Sequence, residues 1–230
     1  MARGFVPRDG AFVAALTPPE RVVIAQLAGD VIELLAGEDE EVLEPADGPE
    51  TLTAMLDAIN RPVRRPTDPA LMLLLPDATD DPDLADEFRR FTEDELRHRK
   101  VRRVLDLANR MLACDPEGDA DEQRDLVVER DEAVELAAAM TDLRLVLASR
   151  LGIDDDAKAE NLYEELMAPE AAQDRATPEP VEDPDVPDGE ALRRFIGAAF
   201  TLLGALQESL TDCLIEGLPA KPQSQSPSNR

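Results

Sequence analysis

The sequence predicts a mainly α-helical protein, a helical bundle carrying a small N-terminal β-hairpin. Three observations lead there. Apolar residues make up 43% of the chain but aromatic ones only 3%, with no Trp and one Tyr, so the core is aliphatic, and Leu and Ala in that role favour packed helices. Those residues recur at spacings of three and four over several long stretches. A hairpin pattern, by contrast, is confined to the first 16 residues.

In that hairpin Gly4-Phe5-Val6 and Ala11 to Leu16 flank Asp9-Gly10, a pair suited to a tight turn with positive φ, and Pro7 restricts its strand to an edge. Thr17-Pro18-Pro19-Glu20 then starts a helix, with Thr17 as N-cap, Pro in the first turn and Glu20 closing a capping box. Val23, Leu27, Val31, Leu34 and Leu35 give it an apolar stripe, and Gly37 ends it. Thr51 to Asn60 predicts a short helix stopped by Pro62. The run Asp68 to Pro76 fits one or two buried helical turns, although so short an apolar run also fits a strand. Asp81 or Asp83 caps the longest helix, about Pro82 to Ala113, with Leu84, Phe88, Phe91, Leu96, Val104, Ala108 and Met111 as its expected apolar side.

After an acidic loop, Leu126-Val127-Val128 is β-branched enough to add a third strand near residues 125–128. Glu129 to Leu151 is helical, with Leu136, Met140, Leu143, Leu147 and Leu151 as a core stripe. Asp154 to Met167 forms another short helix. The expected organisation is a helical core with its hairpin over 1–167, an acidic Pro-rich linker over 168–188, a C-terminal helix packing on the core over 189–217, and a disordered tail over 218–230.

Lys and Arg number 24 against 51 Asp and Glu, a net charge of −27. A surface so negative opposes nucleic-acid phosphates and anionic membranes and favours a protein partner. The start MARGFVPRDG lacks the apolar run of a signal peptide, and the apolar stretch Phe195 to Leu218 is interrupted by acids, so a cytoplasmic location is expected. No phosphate loop, dinucleotide turn, zinc helix or nucleophile elbow occurs. The one histidine, His98, sits among Arg97, Arg99 and Lys100 and reads as a surface residue. Asp115 to Asp121 resembles a calcium loop but has Ala120 where Gly is required and Leu126 where a bidentate Glu belongs. On these readings no enzyme, metal site or cofactor is expected.

Several segments taken together carry a resemblance: Leu16 to Glu20 with Gln26 to Gly29, Asp68 to Asp77, Asp142 to Leu147 with Leu151 to Ile153, and Leu206 to Leu210. In this order they resemble the actinobacterial oxidative stress regulator (AosR-like) family. The resemblance implies a redox-linked transcriptional regulator that contacts a stress sigma factor or RNA polymerase, supports cysteine and thiol synthesis genes, and reaches DNA only indirectly. The other reading of the residues is a structural or adaptor protein without redox sensing.

The redox candidates are Cys114 and Cys213, the only cysteines. Asp115 beside one and Asp212 and Glu216 beside the other disfavour the thiolate, so slow reaction with peroxide is expected. A disulfide between them requires Cα atoms about 4.4–6.8 Å apart. The docking candidates are Arg97, Arg99, Lys100, Arg102 and Arg103, within a segment from Arg89 to Arg110 that holds eight cations and four acids. They offer either a docking strip for an acidic partner or internal partners for the surplus acids. The oligomeric state is left open.

Overall fold

The computed structural model describes residues 4–37, 65–113, 124–167 and 189–216. The predicted helix over 51–60, Cys114, the acidic loop over 115–123, the linker over 168–188 and the tail after 216 lie outside them.

A three-stranded antiparallel sheet and six helices make up the described residues. Strands β1 (Val6–Arg8) and β2 (Ala11–Leu16) form the expected hairpin. Arg8 faces Ala11 across a two-residue turn in which Asp9 has φ 51° and Gly10 φ 92°, the mirror-image turn whose twist suits paired strands. β3 (Arg124–Val128) joins the other side of β2 and places Val127 opposite Val13. Phe12, Ala14, Leu16, Leu126 and Val128 are buried. On the opposite face Arg8 and Asp125 pair at 2.7 Å across the central strand, leaving Val13 buried between the exposed Val6 and Val127.

Helix α1 (Pro18–Ala36) opens as expected: the Thr17 backbone N–H and hydroxyl both donate to Glu20 Oε2 at 2.8 Å. Its buried side is Ile24, Ala28, Val31 and Leu35, while Val23, Leu27 and Leu34 sit half-buried at the edge. α2 (Pro69–Leu74) resolves the short apolar run as a helix. The cause is Asp68, whose carboxylate accepts from the backbone N–H groups of Ala70 and Leu71 at 2.7 and 3.3 Å and so satisfies donors that a helix start leaves open. Arg150 holds the same carboxylate at 2.7 Å, and that hydrogen bond is the first cause keeping the Asp68 carboxyl below its ordinary range.

α3 (Pro82–Leu112) packs along α1, and α4 (Ala133–Leu151) packs against α2, α3 and α6 (Gly189–Glu216). α5 (Asp156–Met167) lies on α6, its buried Leu162 against Gly197. The expected α4 stripe is buried throughout, although the helix starts at Ala133 rather than Glu129 because residues 129–132 form a turn.

One apolar face requires correction. Leu84, Phe88 and Phe91 do not face the core; they are exposed, Phe91 to 71%. Val104, Leu107, Ala108 and Met111 fix the rotation of α3. At 3.6 residues per turn, that phase carried back along a straight helix turns Leu84, Phe88 and Phe91 to the opposite side. Ala85 and Arg89 take the inward positions instead, with Arg89 paired to Asp77 at 2.6 Å and to Glu93.

The first strand segment is clamped to α6. Phe5 N–H donates to Ser209 Oγ at 2.8 Å, and the Cys213 thiol donates to the Phe5 carbonyl at 3.4 Å. A Cβ on Gly4 would lie 2.6 Å from Ser209 Cβ. Gly4→Ala is therefore expected to cost about 1–3 kcal/mol through overpacking, and Ser209→Ala about 1 kcal/mol through the lost hydrogen bond. Denaturant melts of both variants check this; a wild-type midpoint for Gly4→Ala would show that the contact relaxes freely.

Candidate functional site

The basic segment of α3 divides by orientation. Lys100 and Arg103 point towards α4, where the Asp142 side chain is only 3% exposed. Lys100 Nζ lies 2.5 Å from Asp142 Oδ1, and Arg103 Nη1 lies 3.8 Å from Oδ2. Arg103 also pairs with Glu135 at 3.3 Å. A carboxylate withdrawn from water is tolerable only when cations or donors replace its hydration; Lys100 does so at Oδ1, whereas Oδ2 is buried without a hydrogen-bond partner and has only the Arg103 charge nearby.

Arg97 donates to the Leu35 carbonyl at the end of α1 and pairs with Glu93 at 2.7 Å. A cation there meets the open carbonyls and the negative end of the helix dipole. Arg110 pairs with Glu132 at 2.8 Å. Arg99 and Arg102, by contrast, point outward. Arg99 holds Glu95 at 2.7 Å with both side chains more than half exposed, an arrangement that contributes little to stability. Arg102 has no ion-pair partner among the described residues. Of the five docking candidates, then, Arg97, Lys100 and Arg103 are engaged within the fold, and Arg99 and Arg102 are presented to solvent.

That presented face carries the displaced apolar residues as well. Leu84, Phe88 and Phe91 lie along its first half, and Leu105 and Leu112 along its second, all exposed. His98 lies between them, exposed, with Nδ1 2.6 Å from the Asp94 carbonyl oxygen. The sequence reading missed this face by merging it with the buried one.

It also missed a polar seam between α4 and α6. Arg144 Nη1 donates to Gln207 Oε1 at 2.6 Å, and Gln207 Nε2 donates to Thr141 Oγ1 at 2.7 Å. The Arg144 guanidinium stands 5.1 Å from the centroid of the Phe200 ring, and burial lowers its pKa. The available signal was a polar residue on each helix beside an apolar stripe, which does not say which pairs meet.

Cys213 is buried. Its thiol pKa is raised, first by burial, then by Glu216 and Asp212, against a smaller opposing effect of Arg130. Burial, invisible in the sequence, leads the cause that the neighbouring acids had suggested. Cys114 lies outside the described residues. Among those residues no three His, Cys, Asp or Glu side chains converge as a metal set, and no described helix is long and apolar enough to cross a membrane.

Two outcomes are expected. Asp142→Ala, which strands Lys100 and Arg103, costs about 3–5 kcal/mol, whereas Arg99→Glu and Arg102→Glu each stay within about 0.5 kcal/mol of wild type; chemical denaturation separates them. Alkylation of Cys213, followed by peptide mass spectrometry at pH 8, is slow in the folded chain and rises with pH, because a raised pKa leaves little thiolate at neutrality. Denaturant abolishes the protection.

One family model, described as Domain of unknown function (DUF2017), matches residues 2–214. No curated protein and no solved structure matches the chain. The hairpin, the Asp68-capped helix, the buried Asp142 and all but the last two residues of the clamped last helix fall inside the family match, and the chain belongs to the DUF2017 family.

Proposed function

We propose that the protein is a non-catalytic regulator of transcription that binds a stress sigma factor or RNA polymerase and reaches DNA only through that partner. The observation that carries this reading is the outward face of α3, where Arg99 and Arg102 stand beside exposed Phe88, Phe91 and Leu105. Exposed aromatic and arginine side chains are the residues that protein interfaces favour. A net charge of −27 sets the rest of the surface against phosphates. The AosR-like resemblance supplies the class of partner and the target genes, those of cysteine and thiol synthesis, and a cytoplasmic location accords with both. No cofactor or metal enters this reading.

The burial of Cys213 favours a second reading, an adaptor without redox sensing. In the first reading the redox input falls to Cys114.

Binding of the full chain to purified sigma factors of the extracytoplasmic-function type and to core polymerase tests the proposal at about 150 mM salt, where the Debye length is roughly 8 Å. Association with one of them is expected, weakened at least tenfold by Arg99→Glu with Arg102→Glu at an unchanged melting temperature. Tight promoter binding by the protein alone, or no association with either partner, overturns it. Affinity that changes on peroxide treatment selects the redox regulator; affinity that does not selects the adaptor.

A further inference from the structure

Residues 4–8 cross the C-terminal half of α6 as a short strap. Phe5 alone among them is buried; Gly4 is half-buried, and Val6, Pro7 and Arg8 are exposed. β1 has a strand neighbour on one side only, β2, and Pro7 brings no N–H to that pairing. Arg8 holds Asp125 in an ion pair with both side chains about half exposed, which contributes little. What fastens the strap is therefore the Phe5 ring, together with the two hydrogen bonds that the Phe5 peptide groups make with Ser209 and Cys213. The surface beneath it is held far more firmly. β2 is paired on its other side with β3, and Leu203, Leu206 and Leu210 of α6 are fully buried in the core. A chain end held by few buried contacts opens locally at a lower free energy than the core it covers.

We propose that residues 4–8 detach from α6 as a unit while the helices stay packed, and that this release is the route by which the Cys213 thiol meets solutes. Cys213 is only 7% exposed, and its sulfur lies 3.4 Å from the Phe5 carbonyl oxygen. A group added to the sulfur needs the space that the Phe5 peptide fills. The strap cannot simply shift along the helix to make room, because Gly4 stands so close to α6 that even a Cβ there would lie 2.6 Å from Ser209 Cβ. Strap and adduct exclude each other. The coupling is reciprocal: the docked strap shields the thiol, and an occupied thiol holds the strap off, with the Phe5 ring, the Ser209 hydroxyl and one edge of β2 uncovered.

The device rests on the contacts of Phe5 and not on the regulatory reading. Where that reading holds, Cys213 is closed to oxidants until the strap leaves.

Alkylation of the full chain by iodoacetamide at pH 8, in a Cys114→Ser background, reads the release. The thiol loses its proton to water, the sulfur displaces iodide and an S–C bond forms, which peptide mass spectrometry counts. Below the unfolding transition the rate is expected to stay flat as urea is added, because release of so short a segment exposes little surface. Phe5→Ala raises it roughly tenfold or more, the effect of losing one buried aromatic anchor, whereas Asp142→Ala, which weakens packing elsewhere, changes it by less than about twofold. Hydrogen exchange on the alkylated chain gives the reverse arm: the Phe5 amide loses its protection and the amides of α4 keep theirs. A rate that climbs with urea along the slope of global unfolding, equal acceleration by Phe5→Ala and Asp142→Ala, or an alkylated chain whose Phe5 amide stays protected overturns the proposal.

Discussion

One rotation of the longest helix, fixed by Val104, Leu107, Ala108 and Met111 against the core, also turns two of its cations towards the buried carboxylate of Asp142. An acid enclosed between α3 and α4 must draw its cations inward, and Lys100 and Arg103 are the ones that reach it. They lie on the side of α3 that also packs Val104, Leu107 and Met111 against the core. The same rotation decides what faces away. A helix of 31 residues with one fixed inner stripe has no freedom to hide Leu84, Phe88 and Phe91 on the opposite side. The interior ion pair and the exposed aromatic face are thus one constraint seen from two sides.

Elements specified by adjacent residues were legible in the sequence. The Asp9-Gly10 turn, the Thr17 to Glu20 capping box, the Gly37 stop and the α4 stripe each depend on residues within a turn or two of one another. α3 was legible in extent but not in orientation, because it carries two apolar stripes of different phase and only tertiary packing chooses between them. The basic segment shows the same limit. Composition identified eight cations there, yet whether a given one meets Asp142, the Leu35 carbonyl or water depends on which side of the helix it occupies. For Cys213 the neighbouring acids gave the direction of the thiol shift, while burial in the folded core supplies its leading cause.

Electrostatics and packing assign different tasks to similar side chains along α3. Cations facing α4 neutralise a charge that could not otherwise remain inside. Those facing solvent contribute almost nothing to folding and are therefore free to serve recognition. A stability screen alone would rank Lys100 and Arg103 as important and pass over Arg99 and Arg102, inverting their order of interest for function.

The clamp between Phe5 and Ser209 spans 204 positions. During synthesis at about 5–20 residues per second, the amide of Phe5 therefore waits roughly 10–40 s for its acceptor. The sheet waits too, since β2 meets β3 only after more than a hundred further residues. The nascent chain leaves the ribosome with its first hairpin unsupported, and that hairpin is fastened only once the last helix has emerged. A chain lacking α6 would leave the α4 surface that packs on it and the amide of Phe5 uncovered together.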